Sequence, residues 1–279
     1  MPVRHQVTRG ALGLRLAARR IDPRARALPD FVVIGAQKAG TSSLYGQLAA
    51  HPSVVPALRK EVHHFDRHPE PIRHYTAYFP RRAVLDAVAA RTGCAVTGEA
   101  TPYYLLHPAV PERMHSVIPD VRLIAVLRDP VARAISGYHH AVRMGDEHRP
   151  IDVALDPDAA EVLPPPSDAS WYDAPRCPAR LHGYLARGRY AEQLERWLAV
   201  FPREQLLVIG SDALRGGRVP AEVLTFLGLP GEGASAVPDR NVGAYAAPAS
   251  GIESRLVDYF RPYNARLGSL LGTEVPWPT

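Results

Sequence analysis

A parallel β-sheet covered by α-helices is the fold this chain predicts, on three observations. Apolar, β-branched runs recur at positions 31–34, 94–97, 121–127 and 205–209 with helical patterns between them, the alternation that builds a parallel sheet. Two of these runs lead through a short turn directly into a helix. The 279 residues, 46% hydrophobic and 22% charged, have the length and composition of one large α/β domain.

The elements follow in order. The first strand opens the run Phe31-Val-Val-Ile-Gly-Ala-Gln-Lys-Ala-Gly-Thr-Ser-Ser-Leu44, and Leu44 and Leu48, one turn apart, mark a helix over 41–50 that ends at His51-Pro52. After the third strand, Asp129-Pro130 supplies an N-cap and a proline at the first helical position; Val131, Ile135, Tyr138 and Val142 then form an apolar stripe that runs to Gly145. The stretch 146–178, with Pro164-Pro165-Pro166, lacks a clear period and reads as a long loop or lid bordering a substrate cleft. Helical segments at 184–201 and 252–271 flank a loop-like stretch at 228–249 punctuated by Gly, Pro and Asn-Val-Gly. No internal repeat is visible.

Charge divides the chain into a basic extension over 1–30 and a domain over 31–279. The first 30 residues carry seven arginines against Asp22 and Asp30, an excess equal to the formal net charge of +5, so the remainder is formally neutral. A neutral body argues against a general nucleic-acid binder, which needs basic surface on its folded part. Arg15 interrupts the leucines at 12, 14 and 16 and no small-residue cleavage site follows, so a secretory signal is not expected. No segment has 18 uncharged apolar residues, so no transmembrane helix is expected and the cytoplasm is the expected location. The extension reads as frayed or loosely docked, or else as a contact for a membrane or partner. Cys94 and Cys177 have no metal or redox spacing and read as reduced thiols.

The strand-turn-helix at 31–50 is the arrangement that makes an anion site from backbone amides at the carboxyl end of a sheet. Its spacing departs from a Walker A loop, because Lys38 stands two positions before Gly40-Thr41 instead of directly before Ser/Thr. The amides of Ala39, Gly40, Thr41, Ser42 and Ser43 are expected to cradle a phosphate, with Lys38 adding a mobile charge. The chain has two lysines, Lys38 and Lys60, beside 31 arginines, so a lysine in this turn runs against its own bias. The second strand-turn-helix places Arg128 at its strand end and Ser136 in the second helical turn, leaning back toward it. The two are suited to a second phosphate; an Arg-Asp structural pair is the plainer alternative.

Between them lies Lys60-Glu-Val-His-His-Phe-Asp66. Glu61 and His63 are general-base candidates by residue type, and a buried structural network is the alternative. The acidic and histidine residues up to His68 match no recognised zinc spacing, so no metal is expected. Gly98-Glu-Ala-Thr-Pro-Tyr-Tyr104 follows a strand and shapes the cleft, Glu99 with a structural role or more.

Taken together, these segments resemble the sulfotransferases that use 3′-phosphoadenosine 5′-phosphosulfate (PAPS), particularly the heparan sulfate N- and O-sulfotransferase branch and its many bacterial members. Gly35-Ala-Gln-Lys-Ala-Gly-Thr-Ser is similar to that family's 5′-phosphosulfate loop, Leu127-Arg-Asp-Pro-Val-Ala-Arg-Ala-Ile-Ser-Gly-Tyr138 to its 3′-phosphate segment, and Lys60 to Asp66 to the segment carrying its catalytic glutamate. The stretch from Tyr259-Phe-Arg-Pro-Tyr-Asn264 to Trp277 also looks like bacterial members. The resemblance implies a P-loop-like sulfotransferase fold and transfer of a sulfuryl group from PAPS to a hydroxyl of a glycan, lipid or secondary metabolite. Glu61 would be the base, Lys38 would stabilise the leaving phosphate, and Arg128 with Ser136 would anchor the 3′-phosphate. The product would be adenosine 3′,5′-bisphosphate, with no metal required. One departure stands out: the heparan branch has a lysine after the glutamate of Glu-Lys-Thr-Pro, where this chain has Ala100, which counts against a heparan-like acceptor. The family's late nucleotide-clamping loop is matched weakly, around Arg240 to Ala244. The rival readings are a nucleotide-dependent kinase with an atypical P-loop and a nucleotide-binding protein without catalysis.

Overall fold

The computed structural model describes residues 3–21, 25–67, 70–158, 169–231 and 251–278. Its centre is a four-stranded, all-parallel sheet of order β2-β1-β3-β4, formed by β1 (Phe31–Gly35), β2 (Gly98–Ala100), β3 (Arg122–Leu127) and β4 (Leu206–Gly210). Helices cover both faces, which is why β1 is buried along its whole length and β3 from Leu123 onward, as continuous apolar runs.

The helices are α1 (Val3–Ile21), α2 (Thr41–Ala49), α3 (Ile72–Thr76), α4 (Arg82–Thr92), α5 (Val110–His115), α6 (Pro130–Met144), α7 (Ile151–Ala154), α8 (Ala169–Asp173), α9 (Pro178–Leu181), α10 (Tyr190–Leu198), α11 (Ala221–Leu227) and α12 (Ile252–Leu271). The expected signals position the two that matter most. The N–H of Val131 donates to the Asp129 carboxylate at 3.1 Å, Pro130 fills the first position of α6, and Gly145 closes the helix at φ 75°. Long α12 packs against α10 and α6 and matches the expected span.

Three expectations shift. The second strand lies at Gly98–Ala100 instead of 94–97, because the chain comes into register with β1 only at Phe31↔Gly98; Val96 before it makes an isolated bridge to Val54. Glycine is needed there, since a Cβ on Gly98 would stand 2.5 Å from the Phe31 carbonyl oxygen. The helix expected from 184 begins at Tyr190, because Arg189 is non-helical (φ −79°, ψ 66°) and only a 3-10 turn, Ala186–Gly188, precedes it. The stretch read as loop at 146–178 contains the short α7 and α8, while Pro164-Pro165-Pro166 lies outside the described residues, as do 232–250 with the weak clamp segment.

The basic extension is helical over Val3–Ile21. Leu16 is buried against the body, and the Arg19 guanidinium donates to the carbonyls of Ala77 and Phe79 at 3.2 and 3.4 Å.

Candidate active site

The turn after β1 runs from Gly35 to Gly40 and delivers the chain into α2. Gly40 is the N-cap at φ 102° and offers no side-chain cap; a Cβ there would meet Leu214 at 2.8 Å. The first amides of a helix have no intrahelical acceptor. Of the five expected to form a cradle, Ala39 N–H donates to the Ala36 carbonyl at 3.2 Å and Ser43 N–H to that of Gly40 at 2.9 Å. Gly40, Thr41 and Ser42 therefore carry the uncapped N-terminal amides, with the helix dipole behind them.

Arg128, at the end of β3, donates to the Lys38 carbonyl at 3.3 Å, and its own carbonyl accepts from Tyr190 Oη at 2.9 Å. This bond joins the two motifs, 90 residues apart, at the carboxyl end of the sheet. Ser136 is buried on α6, one turn before His140. Burial pushes the His140 pKa down; the charge of Lys38 lowers it further while that of Glu61 raises it, so His140 senses both motifs.

Glu61 and His63 sit on the connection leading from α2 to α3, with the Glu61 N–H donating to the carbonyl of Ala100 at the end of β2 at 3.0 Å. Among the described residues, the non-glycine positions with positive φ are Lys38 (70°), Glu61 (62°) and His63 (56°). A side chain in this left-handed region costs on the order of 1–3 kcal/mol, and such strain collects at functional sites.

The Glu61 carboxylate accepts from Lys60 Nζ at 2.8 Å and stands 3.6 Å from His63 Nε2. Burial alone would raise its pKa, but the opposed imidazole and ammonium outweigh that and hold it at about 2. His63 Nδ1 faces Asp66 Oδ2 at 2.7 Å, and Arg180 Nη1, on α9, donates to the same oxygen at 3.0 Å. Burial would lower the His63 pKa; the two flanking carboxylates overcome it, and the net shift is upward. His63 thus stands between the carboxylates of Glu61 and Asp66, both of which favour its protonated form.

Glu99, fully buried, is the brace beneath this segment. It accepts from Thr101 Oγ1 (2.6 Å), Tyr75 Oη (2.9 Å), Tyr104 Oη (3.2 Å) and the amide of Val62 (3.3 Å). Burial raises its pKa despite these donors. Sequence reasoning placed Asp66 in the cluster without a role and passed over Arg180 and His140. Asp66, three residues after His63, carried a local signal; Arg180, 114 residues from Asp66 along the chain, carried none.

Among the described residues, no group of three or more His, Cys, Asp or Glu side chains is arranged to hold a metal ion, and no helix is long and apolar enough to cross a membrane.

An uncapped helix N-terminus beside a lysine, an arginine from the next strand and a carboxylate-imidazole pair is an arrangement suited to handling an anion. Residues 28–235 match the sulfotransferase domain family, and the chain belongs to it. It is 29% identical to human heparan sulfate glucosamine 3-O-sulfotransferase 6, over 96% of this chain and 78% of that protein. It is 34% identical to human bifunctional heparan sulfate N-deacetylase/N-sulfotransferase 3, over 72% of this chain but 22% of that protein. The chain spans 66% of the membrane-associated sulfotransferase kil1 of Dictyostelium discoideum, at 25% identity over 90% of its own length. A sulfotransferase structure from Alicyclobacillus acidocaldarius superposes with a TM-score of 0.62 at 29% identity, covering 89% of this chain and 98% of that one. The α/β fold is accordingly the P-loop-like sulfotransferase fold.

Proposed function

We propose that this sulfotransferase takes its sulfuryl group from PAPS and transfers it to an acceptor hydroxyl, with Glu61 as general base. The observation that carries this reading is the convergence of Lys38, Glu61 and His63, each at positive φ, on the ends of neighbouring parallel strands. The residues present fit a bisphosphorylated nucleotide: the uncapped amides of Gly40, Thr41 and Ser42 with Lys38 suit one phosphate, and Arg128 with buried Ser136 suits the other. When bound, PAPS supplies an activated S–O bond whose leaving group is a phosphate.

Glu61 accepts the proton of the acceptor hydroxyl as the new O–S bond forms and the old S–O bond breaks. A carboxylate held near 2 is a weak base, but a loose transition state asks little of the nucleophile, whose proton becomes acidic only as the bond to sulfur develops. The proton then moves late. Lys38 and the loop amides hold the charge that collects on the departing phosphate oxygen, the kind of contact worth about 10²–10³ in rate. His63, oriented by Asp66 and Arg180, keeps the carboxylate aimed and ionised.

The acceptor belongs to the hydroxyl class: glycan, lipid or secondary metabolite. Two of the relatives are named as heparan sulfate sulfotransferases; Ala100, in place of the lysine found in that branch, favours a different acceptor here. The reading also includes a cytoplasmic location and a basic extension over 1–30 ahead of the transferase domain over 31–279. The test is transfer from labelled PAPS, with ATP and GTP as controls, in wild type and Glu61→Gln. Gln keeps the size but cannot take a proton, so transfer should vanish while adenosine 3′,5′-bisphosphate still binds. An active Glu61→Gln beside a dead His63→Ala would make His63 the base, and phosphate transfer from ATP would reject the donor.

A further inference from the structure

We propose that Arg113 and Asp173 are positioning residues for the reaction: their ion pair fixes the turn that carries Asp66, and through Asp66 it sets His63 against Glu61. The inference rests on reading Glu61 and His63 as the acid-base pair. Both residues act through others.

Residues 61–67 form no helix or strand, and Glu61 and His63 within them are held at φ 62° and 56°. A strained segment of this kind keeps its shape only where its surroundings over-determine it. At its first end β2 does so, through the Ala100 carbonyl and Glu99. In the middle, Tyr104 Oη accepts from the amides of His64 and Phe65 at 3.0 and 3.5 Å. The far end depends on two arginines. Arg113 Nη1, on α5, donates to the carbonyls of Phe65 and Arg67 at 3.0 and 3.1 Å, the residues on either side of Asp66. Arg180 Nη2 donates to the carbonyl of Asp66 itself at 3.1 Å. The Asp66 carboxylate is gripped at Oδ2 alone, because Oδ1 is buried without a hydrogen-bond partner among the described residues. What that carboxylate presents to His63 therefore depends on where the backbone of the turn is held.

Asp173, on α8, fixes Arg113. Its carboxylate accepts from Arg113 Nη1 at 2.7 Å and Nη2 at 3.2 Å, a two-pronged pairing that a guanidinium makes and an ammonium does not. His107 is the third donor: its Nδ1 accepts from the amide of Ala109 at 3.3 Å, which leaves the proton on Nε2, 3.0 Å from Asp173 Oδ1. Burial, with the charge of Arg113, holds the His107 pKa at about 4, so the ring is neutral and keeps this tautomer. The pair is 24% and 14% exposed, sheltered from the screening that weakens surface ion pairs. Asp173 and Arg180 also lie on one stretch of chain, so docking Asp173 on Arg113 helps to deliver Arg180 to Asp66.

The direct readout is the titration of the His63 ring, followed by NMR in the full chain, in Arg113→Lys and Arg113→Gln. Lys keeps the charge, but one ammonium cannot hold both carbonyls and both Asp173 oxygens, so Asp66 draws off and the midpoint should fall below that of wild type. Gln adds a test of sign. Loss of a nearby positive charge by itself raises the pKa of an imidazolium, whereas loss of position lowers it here, so a fall in Arg113→Gln reports position. A midpoint unmoved in both variants, or raised in Arg113→Gln, would overturn the proposal, whatever either substitution does to the melting temperature. The rate is the second readout. With water as the probe acceptor, release of adenosine 3′,5′-bisphosphate and sulfate from labelled PAPS should drop about tenfold or more in both variants and in Asp173→Asn, while calorimetry shows bisphosphate binding unchanged within about twofold. Arg113→Gln combined with Asp173→Asn should lose no more than the worse single variant; losses that multiply would overturn the pairing. If wild type releases no bisphosphate, the donor assignment falls, and the ring titration still decides whether Arg113 positions Asp66.

Discussion

His63 stands between two carboxylates, Glu61 at 3.6 Å and Asp66 at 2.7 Å, and together with Lys60 it holds the Glu61 pKa down. Its folded pKa lies above 6.5. The linked stability is therefore complete below the unfolded value of about 6.5 and is lost as pH rises through the folded one. Asp66→Asn removes the stronger acceptor, so the His63 ring, followed by NMR, should titrate at a clearly lower pH in the mutant; an unmoved midpoint would mean that Asp66 does not set the imidazolium. Lys38 makes a separate prediction. Its charge matters most where phosphate charge develops, so Lys38→Ala should lower turnover by roughly a hundredfold or more while weakening adenosine 3′,5′-bisphosphate binding much less. Near-normal turnover in a folded Lys38→Ala protein would remove the leaving-group assignment.

Strand β2 is three residues long, yet it fixes the Glu61 segment: Ala100 holds the Glu61 backbone and Glu99 holds Val62. Replacing Glu99 by Ala leaves Tyr75, Tyr104 and Thr101 hydroxyls buried without their acceptor, and each orphan costs about 1–3 kcal/mol. Denaturant unfolding should show Glu99→Ala destabilised by more than about 3 kcal/mol, and a loss under about 1 kcal/mol would show that the hydroxyls find other partners. Elements with local punctuation were legible in the sequence. The Asp129-Pro130 start and Gly145 stop of α6 are short-range capping chemistry, and Gly40 marks the turn into α2. Strand β2 was displaced because a strand buried on both faces has no alternating pattern, and its register depends on partners in β1 rather than on its own residues. The site divides the same way. Lys38, Glu61, His63 and Arg128 were visible as motif residues, whereas Arg180 and Tyr75 enter only through long-range contacts to Asp66 and Glu99.

At the scale of the molecule, the parallel order β2-β1-β3-β4 puts the ends of β2, β1 and β3 side by side, and with them the Glu61 segment, the Lys38 loop and Arg128. The central claim is that this row of strand ends accommodates a nucleotide with phosphates at both 5′ and 3′ positions. Calorimetric titration of adenosine 3′,5′-bisphosphate and adenosine 5′-monophosphate into wild type and Arg128→Ala tests it most directly. Charge-assisted hydrogen bonds contribute about 1.5–3 kcal/mol each, so wild type should prefer the bisphosphate by on the order of a hundredfold, and Arg128→Ala should erase most of that preference while hardly changing the monophosphate. Equal weakening of both ligands, or no preference in wild type, would contradict the assignment of the 3′-phosphate to Arg128 and Ser136, and with it the choice of PAPS as donor.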